Sequence, residues 1–416
     1  MFLLLYLIAA APGVARAQQD LDLNGLIREA LESNPDVLAA QKRYEAARQR
    51  PSQERALPEP MLSVGYASNG RPWPGAGLGV EPTSNIGFMV TQEFPFFGKR
   101  KLRGEIAQKQ AQAEFDQYQT IQLGVVSRLK QAYYRLAYTY RARDVLERNR
   151  DLLIKLERVA EVRYTIGRAA QQDILKIETQ LSILETRLIQ LERERGAREA
   201  EILSLLNRRP GELSGKAVIA VPKPLRKTLE ELFALSGSNA PQLQRDRRMI
   251  ERSQLALNLA RKDSMPDYAV SGGYANMGRM PDMYQFRLDL KLPAWFGKQR
   301  AAQAEQSLEL RSAQRVLEST AQNMAFRIKD DYLMAETSLK LMQAYERAVV
   351  PQASLALESS LASYETAAVD LLSVLTNFIT VVEYEMNYYE EMLNFYLAAA
   401  RLEEVTAEPL IDGDRP

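Results

Sequence analysis

The sequence contains no histidine and no cysteine among its 416 residues. Histidine acid–base catalysis, thiol chemistry and disulfide bonds are therefore excluded, and so are the zinc sites that depend on these residue types. An oxidising compartment stays possible, since a protein of this size does not need disulfides to fold there. An excess charge of either sign is also lacking: 54 basic and 53 acidic residues nearly cancel, which argues against a nucleic acid or another polyanion as partner.

Long hydrophobic runs are missing after residue 17, where no apolar stretch approaches the ~18 residues of a membrane-spanning helix. Before that point, Phe2 to Val14 is largely apolar and leads to Ala15-Arg16-Ala17, a small-x-small pattern typical of a signal-peptide cleavage site. A short buried helix is the alternative interpretation. No Lys or Arg precedes the run, which leaves open whether the natural start lies upstream of Met1. We expect an exported mature chain without a transmembrane helix.

The chain does contain a long internal repeat. The segment from Phe94 to Arg100, FPFFGKR, returns as LPAWFGKQR from Leu292 to Arg300, about 200 residues later. Three further pairs keep the same order and nearly the same offset: Ser33-Asn34-Pro35 with Ser238-Asn239-Ala240-Pro241, Val64-Gly65-Tyr66-Ala67 with Gly272-Gly273-Tyr274-Ala275, and Tyr164 with Tyr364. A unit of this length is a complete structural module rather than a solenoid repeat.

Each module is predicted to hold two strands followed by two long helices, with short helices before the strands. The strands are expected at about 61–68, 85–94, 268–275 and 284–292, where apolar residues alternate with polar or small ones. The long helices are expected at about 99–165, 171–207, 298–365 and 369–407. The predicted divisions are a signal peptide at 1–17, the first repeat at 18–212, the second at 213–408 and a C-terminal tail at 409–416.

The first long helix shows a heptad-like spacing of its apolar residues. Residues seven apart are Leu129 and Leu136, and then Leu146, Leu153 and Ala160. A helix of about 65 residues would be near 100 Å long, and this spacing predicts coiled-coil packing against neighbouring helices. Two further features are expected: a short strand at 217–221 between the modules, and a kink in the second long helix at Pro351.

The strand from Tyr284 to Leu292 alternates strictly, with Tyr, Phe and Leu on one face and Gln, Arg, Asp and Lys on the other. A soluble sandwich could contain such a strand, but its length also suits a tilted transmembrane strand of ~9 residues. A chain with about four strands cannot close a membrane barrel, which needs about eight, and open edges cannot stand in lipid. In a membrane, several protomers would therefore share one barrel, with Arg287, Asp289 and Lys291 in its lumen.

These features resemble the outer membrane efflux proteins, the TolC-like outer membrane factors. The resemblance covers nearly all of the mature chain: the duplicated half, the strand pair before each long helix, and the Tyr-Thr-Ile-Gly turn at 164–167. The Pro-x-x-Gly-Lys step from Pro95 to Lys99, echoed around Phe296-Gly297-Lys298, is most similar to the heavy-metal-efflux branch. The fold this implies is mainly α with duplicated β-β-α-α modules: a homotrimer that combines an α-helical tunnel with a shared outer-membrane barrel of about twelve strands.

The resemblance also implies a function. Such a protein is a passive, periplasm-spanning export duct for metal ions or small toxic solutes, located in the outer membrane with a large periplasmic portion. It is not an enzyme, needs no cofactor, and works with a periplasmic adaptor (membrane fusion) protein and an inner-membrane pump of the RND type. A periplasmic adaptor and a structural coiled-coil protein of the cell envelope are the alternatives, although the Gly-rich lipoyl-like motifs of adaptors are not found.

In this family the helix-hairpin turns form the periplasmic tip that closes the tunnel and meets the adaptor. The gate candidates carried over from the resemblance are Arg163, Tyr164, Gly167, Asp173, Tyr364, Asp370, Ser373 and Thr376. Ala367 stands where Gly is usual, and Ser373 and Thr376 stand where some members carry gating aspartates, so Asp370 would have to substitute. For the two tyrosines, simple packing at a helix end is the alternative to a gate role.

Three methionines cluster between the last two predicted strands, at Met277, Met280 and Met283. Thioethers are soft ligands suited to Cu(I) or Ag(I). Methionines also cluster by chance in short loops, and an exit duct need not bind its cargo. We therefore predict no metal site, with these three as the weak candidates.

Overall fold

The computed structural model describes residues 20–68, 72–211, 213–366 and 368–411. The elements in this part are α1 (Leu23–Ser33), α2 (Pro35–Arg55), β1 (Met61–Ala67), β2 (Asn85–Phe94), α3 (Lys99–Thr165), α4 (Gln171–Leu205), α5 (Leu229–Asn239), α6 (Pro241–Lys262), β3 (Asp267–Asn276), β4 (Met283–Lys291), α7 (Phe296–Ala344), a π-helical turn (Tyr345–Val349), α8 (Val350–Glu365) and α9 (Leu371–Thr406). The expected signal peptide, Ala367 and the end of the expected tail lie outside the described residues.

The chain divides into two compact units. The first contains the described residues of 1–37, 122–236 and 325–416, and its core combines α3, α4, α8 and α9. The residues that the heptad spacing identifies in α3 are fully buried there, namely Leu129, Leu136, Leu146, Leu153 and Ala160. Burial at every seventh position is the pattern that packing along a helix seam requires.

The second unit contains the described residues of 38–121 and 237–324 and carries the sheet. Its four strands are antiparallel in the order β1-β2-β3-β4, so β2 and β3 join the hairpin of one repeat to that of the other. Opposite residues include Phe88 and Tyr274, and the buried hydroxyls of Thr91 and Ser271 are 2.9 Å apart. The outer edges of β1 and β4 are the two ends of this sheet.

The predicted strand at 217–221 is wrong, because no strand forms there. Its neighbourhood has only an isolated bridge between Asp20 and Lys216. Tyrosine hydroxyls take the place of a partner strand: the Tyr133 hydroxyl accepts a hydrogen bond from the Val218 amide at 3.1 Å, and the Tyr396 hydroxyl donates to the Ala220 carbonyl at 3.1 Å. Backbone groups satisfied by side chains need no sheet.

The second long helix is not continuous as predicted. It begins at Phe296 rather than at 298, and a π-helical turn at Tyr345–Val349 separates α7 from α8. Pro351 lies in the first turn of α8, and the interruption comes just before this proline rather than at it. Proline has no N–H to donate and its ring crowds the carbonyl four residues earlier, so a shifted hydrogen-bond ladder ahead of it removes both conflicts.

Candidate functional site

Both helical hairpins of the first unit end in short turns, which we call the hairpin tips: residues 166–170 between α3 and α4, and the described residues 366 and 368–370 between α8 and α9. Gly167 has φ +72° and the Arg168 amide donates to the Arg163 carbonyl at 2.8 Å. Together they form the left-handed helix ending for which glycine is preferred. The Tyr-Thr-Ile-Gly segment thus ends α3 by backbone geometry.

Arg163 connects the two hairpin tips. Its guanidinium carbon lies 4.2 Å from the centre of the Tyr364 ring. It also donates hydrogen bonds to the carbonyl of Tyr364 and, at 3.3 Å, to the carbonyl of Arg168. A cation at the last turn of α8 faces the negative end of that helix dipole, so charge, ring and carbonyls all favour this position.

The two predicted gate tyrosines occupy opposite environments. Tyr164 is 46% exposed, whereas Tyr364 is 2% exposed and packs in the core shared by α3, α4, α8 and α9. The Tyr364 hydroxyl is buried and has no hydrogen-bond partner among the described residues. Burial raises the pKa of Tyr364, the negative charge of Asp173 raises it further, and Arg163 opposes both. Tyr364 is therefore a packing residue held under a cation.

The acidic candidates bind helix N-termini. Asp370 is the N-cap of α9, and one of its carboxylate oxygens accepts from the amide (3.1 Å) and the hydroxyl (2.6 Å) of Ser373. These bonds lower the pKa of the exposed Asp370 carboxyl. Asp173 lies in the first turn of α4, where a negative charge complements the helix dipole. Thr376 donates its hydroxyl to the Leu372 carbonyl within α9. Ser373 and Thr376 thus serve the helix, and Asp370 keeps an exposed negative charge at the tip.

The sheet of the second unit has one apolar and one polar face. Because opposite residues share a face, the strand register gathers the apolar positions on one side: Leu62, Val64 and Tyr66; Ile86, Phe88 and Val90; Tyr268, Val270 and Tyr274; Tyr284, Phe286, Leu288 and Leu290. All the residues of this list in β4 and β2, and the first two in β1, are exposed. An exposed apolar surface of this kind marks a protein or membrane interface.

The opposite face of the sheet carries the predicted lumen candidates. Arg287 and Asp289 form an exposed ion pair at 2.9 Å, and Lys291 follows on the same face. Small residues such as Gly65 and Gly273 lie on this same face of the sheet, on strands β1 and β3. The structure therefore puts Arg287, Asp289 and Lys291 on one face, opposite the apolar one.

Aromatic residues lie near both ends of the sheet. At one end Phe94 stacks on Tyr268 with ring centres 5.3 Å apart, and Phe97 lies close by at 6.5 Å from Tyr268. At the other end Tyr274 contacts Tyr284 at 5.6 Å. Rings at both ends of an apolar band are the arrangement that suits two interfaces between water and a hydrocarbon layer.

The turn between β2 and α3 contains a buried cation that the sequence did not reveal as a site. Lys99 is 2% exposed, and its ammonium group donates to the Asp267 carboxylate at 2.8 Å and the Met265 carbonyl at 3.0 Å, with Asp263 at 3.6 Å. The Phe96 amide also donates to Asp267, at 2.7 Å. Both aspartates come from the segment that enters β3, so the only signal was acidic residues flanking Pro266, which is too common to use alone.

The three candidate methionines lie at the connection between β3 and β4. Met277 and Met280 lie in the connection between β3 and β4, and Met283 is the first residue of β4. Within the described ranges, no group of three or more His, Cys, Asp or Glu side chains is placed to hold a metal ion. In the same part of the chain, no helix has the length and apolar character needed to cross a membrane.

Comparison with solved structures identifies the fold of the chain. The chain has the fold of outer-membrane channels: it matches VceC, an outer membrane protein of Vibrio cholerae (TM-score 0.80, 16% identity, 93% of this chain and 96% of VceC). It also matches CusC (0.79, 15%, 93% and 92%) and the open state of the MtrE outer membrane channel of Neisseria gonorrhoeae (0.76, 16%, 95% and 91%). Identities this low establish the fold alone.

A family model also matches part of the sequence. Residues 26–208, which lie within the first repeat, match the model of the outer membrane efflux protein family. No curated protein matches the chain by sequence comparison. The resemblance inferred from the duplicated motifs is confirmed.

Proposed function

We propose that this protein is the outer-membrane channel of a tripartite efflux system, a passive duct for metal ions or small toxic solutes. The observation that carries the proposal is the sheet of the second unit, with an exposed apolar face opposite a face bearing Arg287, Asp289 and Lys291. An apolar outside and a polar inside are what a water-filled barrel in a lipid bilayer requires.

The assembly we propose is a homotrimer. The described part of one chain supplies four strands with two open edges, and unpaired backbone groups at such edges cannot be satisfied in lipid. Three copies supply about twelve strands, enough to close a barrel. The helices of the first unit would then form the periplasmic tunnel, and the hairpin tips would form its periplasmic tip.

The tips are the proposed contact with the adaptor and the proposed gate. Arg163 fastens one hairpin tip to the other through Tyr364, which supports a closed resting state. Opening would be a conformational change driven by partner contacts, since a gate moves only when a partner binds the open state more tightly. The adaptor would link the tip to an inner-membrane pump of the RND type.

The cargo we propose first is metal ions, on the strength of the Pro-x-x-Gly-Lys step at Pro95 to Lys99. The test is deletion of the gene, followed by susceptibility measurements against copper, silver, zinc, cobalt and a drug panel, with the wild-type gene restored as control. We expect greater metal sensitivity that the restored gene reverses. Sensitivity to drugs alone would overturn the metal preference, and a protein absent from outer-membrane fractions would overturn the channel proposal.

A further inference from the structure

The two strand-to-helix connections of the chain have matching sequences and different surroundings. We call residues 95–99 the first joint and residues 293–298 the second joint. In the first joint Gly98 has φ +86° and Lys99 is buried against Asp263 and Asp267. In the second joint Gly297 lies within the first turn of α7, and Lys298 is exposed and has no partner among the described residues. The lysine of the Gly-Lys pair therefore has carboxylate partners in the first joint and none among the described residues in the second joint.

The internal repeat shows which residue corresponds to the acidic partner of Lys99. Pro266 precedes β3 in the second repeat and Asp267 is the first residue of that strand, and Pro58-Glu59 precedes β1 in the first repeat. The same number of residues separates each proline from the Tyr-Ala pair of its strand, Tyr274-Ala275 or Tyr66-Ala67. Glu59 is thus the counterpart of Asp267. Like Lys298, Glu59 is exposed and has no partner among the described residues.

Lys298 and Glu59 cannot meet within one chain. Lys298 follows β4 and Glu59 precedes β1, and these strands are at opposite edges of the sheet. Three inter-strand spacings, roughly 14 Å, separate the two strands. By contrast, Lys99 follows β2 and Asp267 begins β3, and these two strands are paired directly. The second joint lacks the neighbouring strand that completes the first.

We propose that Lys298 of one copy binds Glu59 of the next copy, and that this ion pair fixes the register in which β4 pairs with the neighbouring β1. The inference rests on the proposed shared barrel and adds the residues that join its protomers. It is the contact seen in the chain between Lys99 and Asp267, repeated across the subunit boundary. The interface is heterologous, so each copy contributes its Lys298 edge to one neighbour and its Glu59 edge to the other.

The register between copies follows from the internal repeat, in which β2 corresponds to β4 and β3 corresponds to β1. The pairing of β2 with β3 can therefore be transposed to β4 and the β1 of the next copy. Phe88 lies opposite Tyr274, and this pair transposes to Phe286 opposite Tyr66. The Thr91–Ser271 pair transposes to Asp289 opposite Ser63. An aromatic pair is kept on the apolar face and a polar pair on the other. A slip of one residue would turn one set onto the wrong face.

The ion pair within the chain and the proposed ion pair between copies differ in strength. Lys99 has two carboxylates nearby, whereas Arg55 takes the place of Asp263 in the first repeat, so Lys298 gains a single carboxylate and a neighbouring cation. The second joint has one more residue between its proline and its lysine, and glutamate is one methylene longer than aspartate. The contact between copies is therefore looser and more sensitive to salt than the contact within a chain.

The register can be tested by cysteine cross-linking in the full-length protein, because the natural chain has no cysteine. We expect Ser63→Cys with Asp289→Cys to give covalent trimers on oxidation in detergent, and each single variant to give none. The matched control, Thr91→Cys with Ser271→Cys, should cross-link within the chain and stay monomeric on a denaturing gel. Ala67→Cys with Asp289→Cys, out of register, should give no covalent oligomer; covalent trimers there would overturn the proposed register.

The ion pair is tested by charge reversal. We expect Lys298→Glu and Glu59→Lys each to lose the trimer that survives SDS before heating, and the double variant to recover it. Arg300→Glu, an exposed neighbour, should leave the trimer intact. Failure of the double variant to recover while single variants lose the trimer would overturn the pairing. If light scattering finds trimers of the wild-type protein but the Ser63→Cys, Asp289→Cys variant does not cross-link, the proposed ion pair and register are wrong and the channel proposal stands. A monomeric wild-type protein would overturn both proposals.

Discussion

The two repeats share one plan and differ most along their long helices. The first helix, α3, continues without a break from Lys99 to Thr165, whereas the second is divided by the π-helical turn at Tyr345–Val349. The core positions of both hairpins are nevertheless buried together. Both repeats therefore keep a buried packing seam, and only the second has a π-helical turn, which lies just before Pro351.

The hairpin tips differ in how they use their carboxylates. At an offset of 200 residues, Asp370 corresponds to Ala170, and Ser373 corresponds to Asp173. In α9 the acid is the N-cap with a side-chain bond to Ser373, whereas Ala170 caps α4 without any side-chain bond. The negative charge has moved by one helical turn between the copies. Matching sequence positions thus do not guarantee matching electrostatics.

The largest expected difference concerns the two tyrosines. Tyr364→Ala removes a fully buried ring and should reduce the local stability of its hairpin by about 3–5 kcal/mol, while Tyr164→Ala should change it by at most about 0.5 kcal/mol. Hydrogen exchange at the tip amides measures both. We also expect Tyr364→Ala to increase ion leak in planar bilayers. Equal effects of the two variants would show that burial does not distinguish the copies.

The next effect concerns the contact between the hairpin tips. Arg163→Ala removes the cation over the Tyr364 ring and the bonds to two carbonyls, and should cost about 2 kcal/mol at the tip. Bilayer conductance of the closed channel should rise. Arg168→Ala is the control, since the Arg168 side chain is exposed and its bonds to Arg163 come from its backbone amide and carbonyl. A conductance unchanged in Arg163→Ala would remove this residue from the gate.

The π-helical turn should open more readily than its counterpart. Amide hydrogens at 345–350 are expected to exchange about tenfold faster than those at 145–150 in α3, equivalent to ~1.4 kcal/mol. The shifted hydrogen bonds of the turn hold fewer consecutive groups in regular geometry. Mass spectrometry of exchanged peptides gives the comparison directly. Equal exchange would mean that the turn is as firmly held as the unbroken helix.

The smallest effect is the dependence of the tips on pH. The pKa of Asp370 is lowered by its bonds to Ser373, so its contribution to stability is present above the pKa of the unfolded chain. That contribution is lost as the pH falls through the lowered value of the folded state. We expect protection of the Ser373 amide to fall in this acidic range, while the Asp173 amide, which bonds the Ala170 carbonyl, keeps its protection. Asp370→Asn should remove the pH dependence of the Ser373 amide.

Much of the fold could be predicted because its signals are local. The alternation from Tyr284 to Leu290 placed apolar and charged residues on separate faces of β4, and the sevenfold spacing of Leu146 and Leu153 identified core positions. Part of the candidate site was local too, since Gly167 has the left-handed conformation that a helix ending favours. The apolar run at 217–221 misled, because β-propensity does not reveal whether a partner strand is present.

The amino-acid sequence by itself determined the periods, the repeat and the resemblance to a family, because these depend on the order of neighbouring residues and on the equivalence of the two halves. Only the tertiary structure decided that Arg163 covers Tyr364, that Asp267 holds Lys99, and that Lys298 is left exposed. Such contacts join residues more than 150 positions apart, and the strand order selects them. A sheet with two open edges satisfies one copy of a repeated motif and leaves the other to a neighbour.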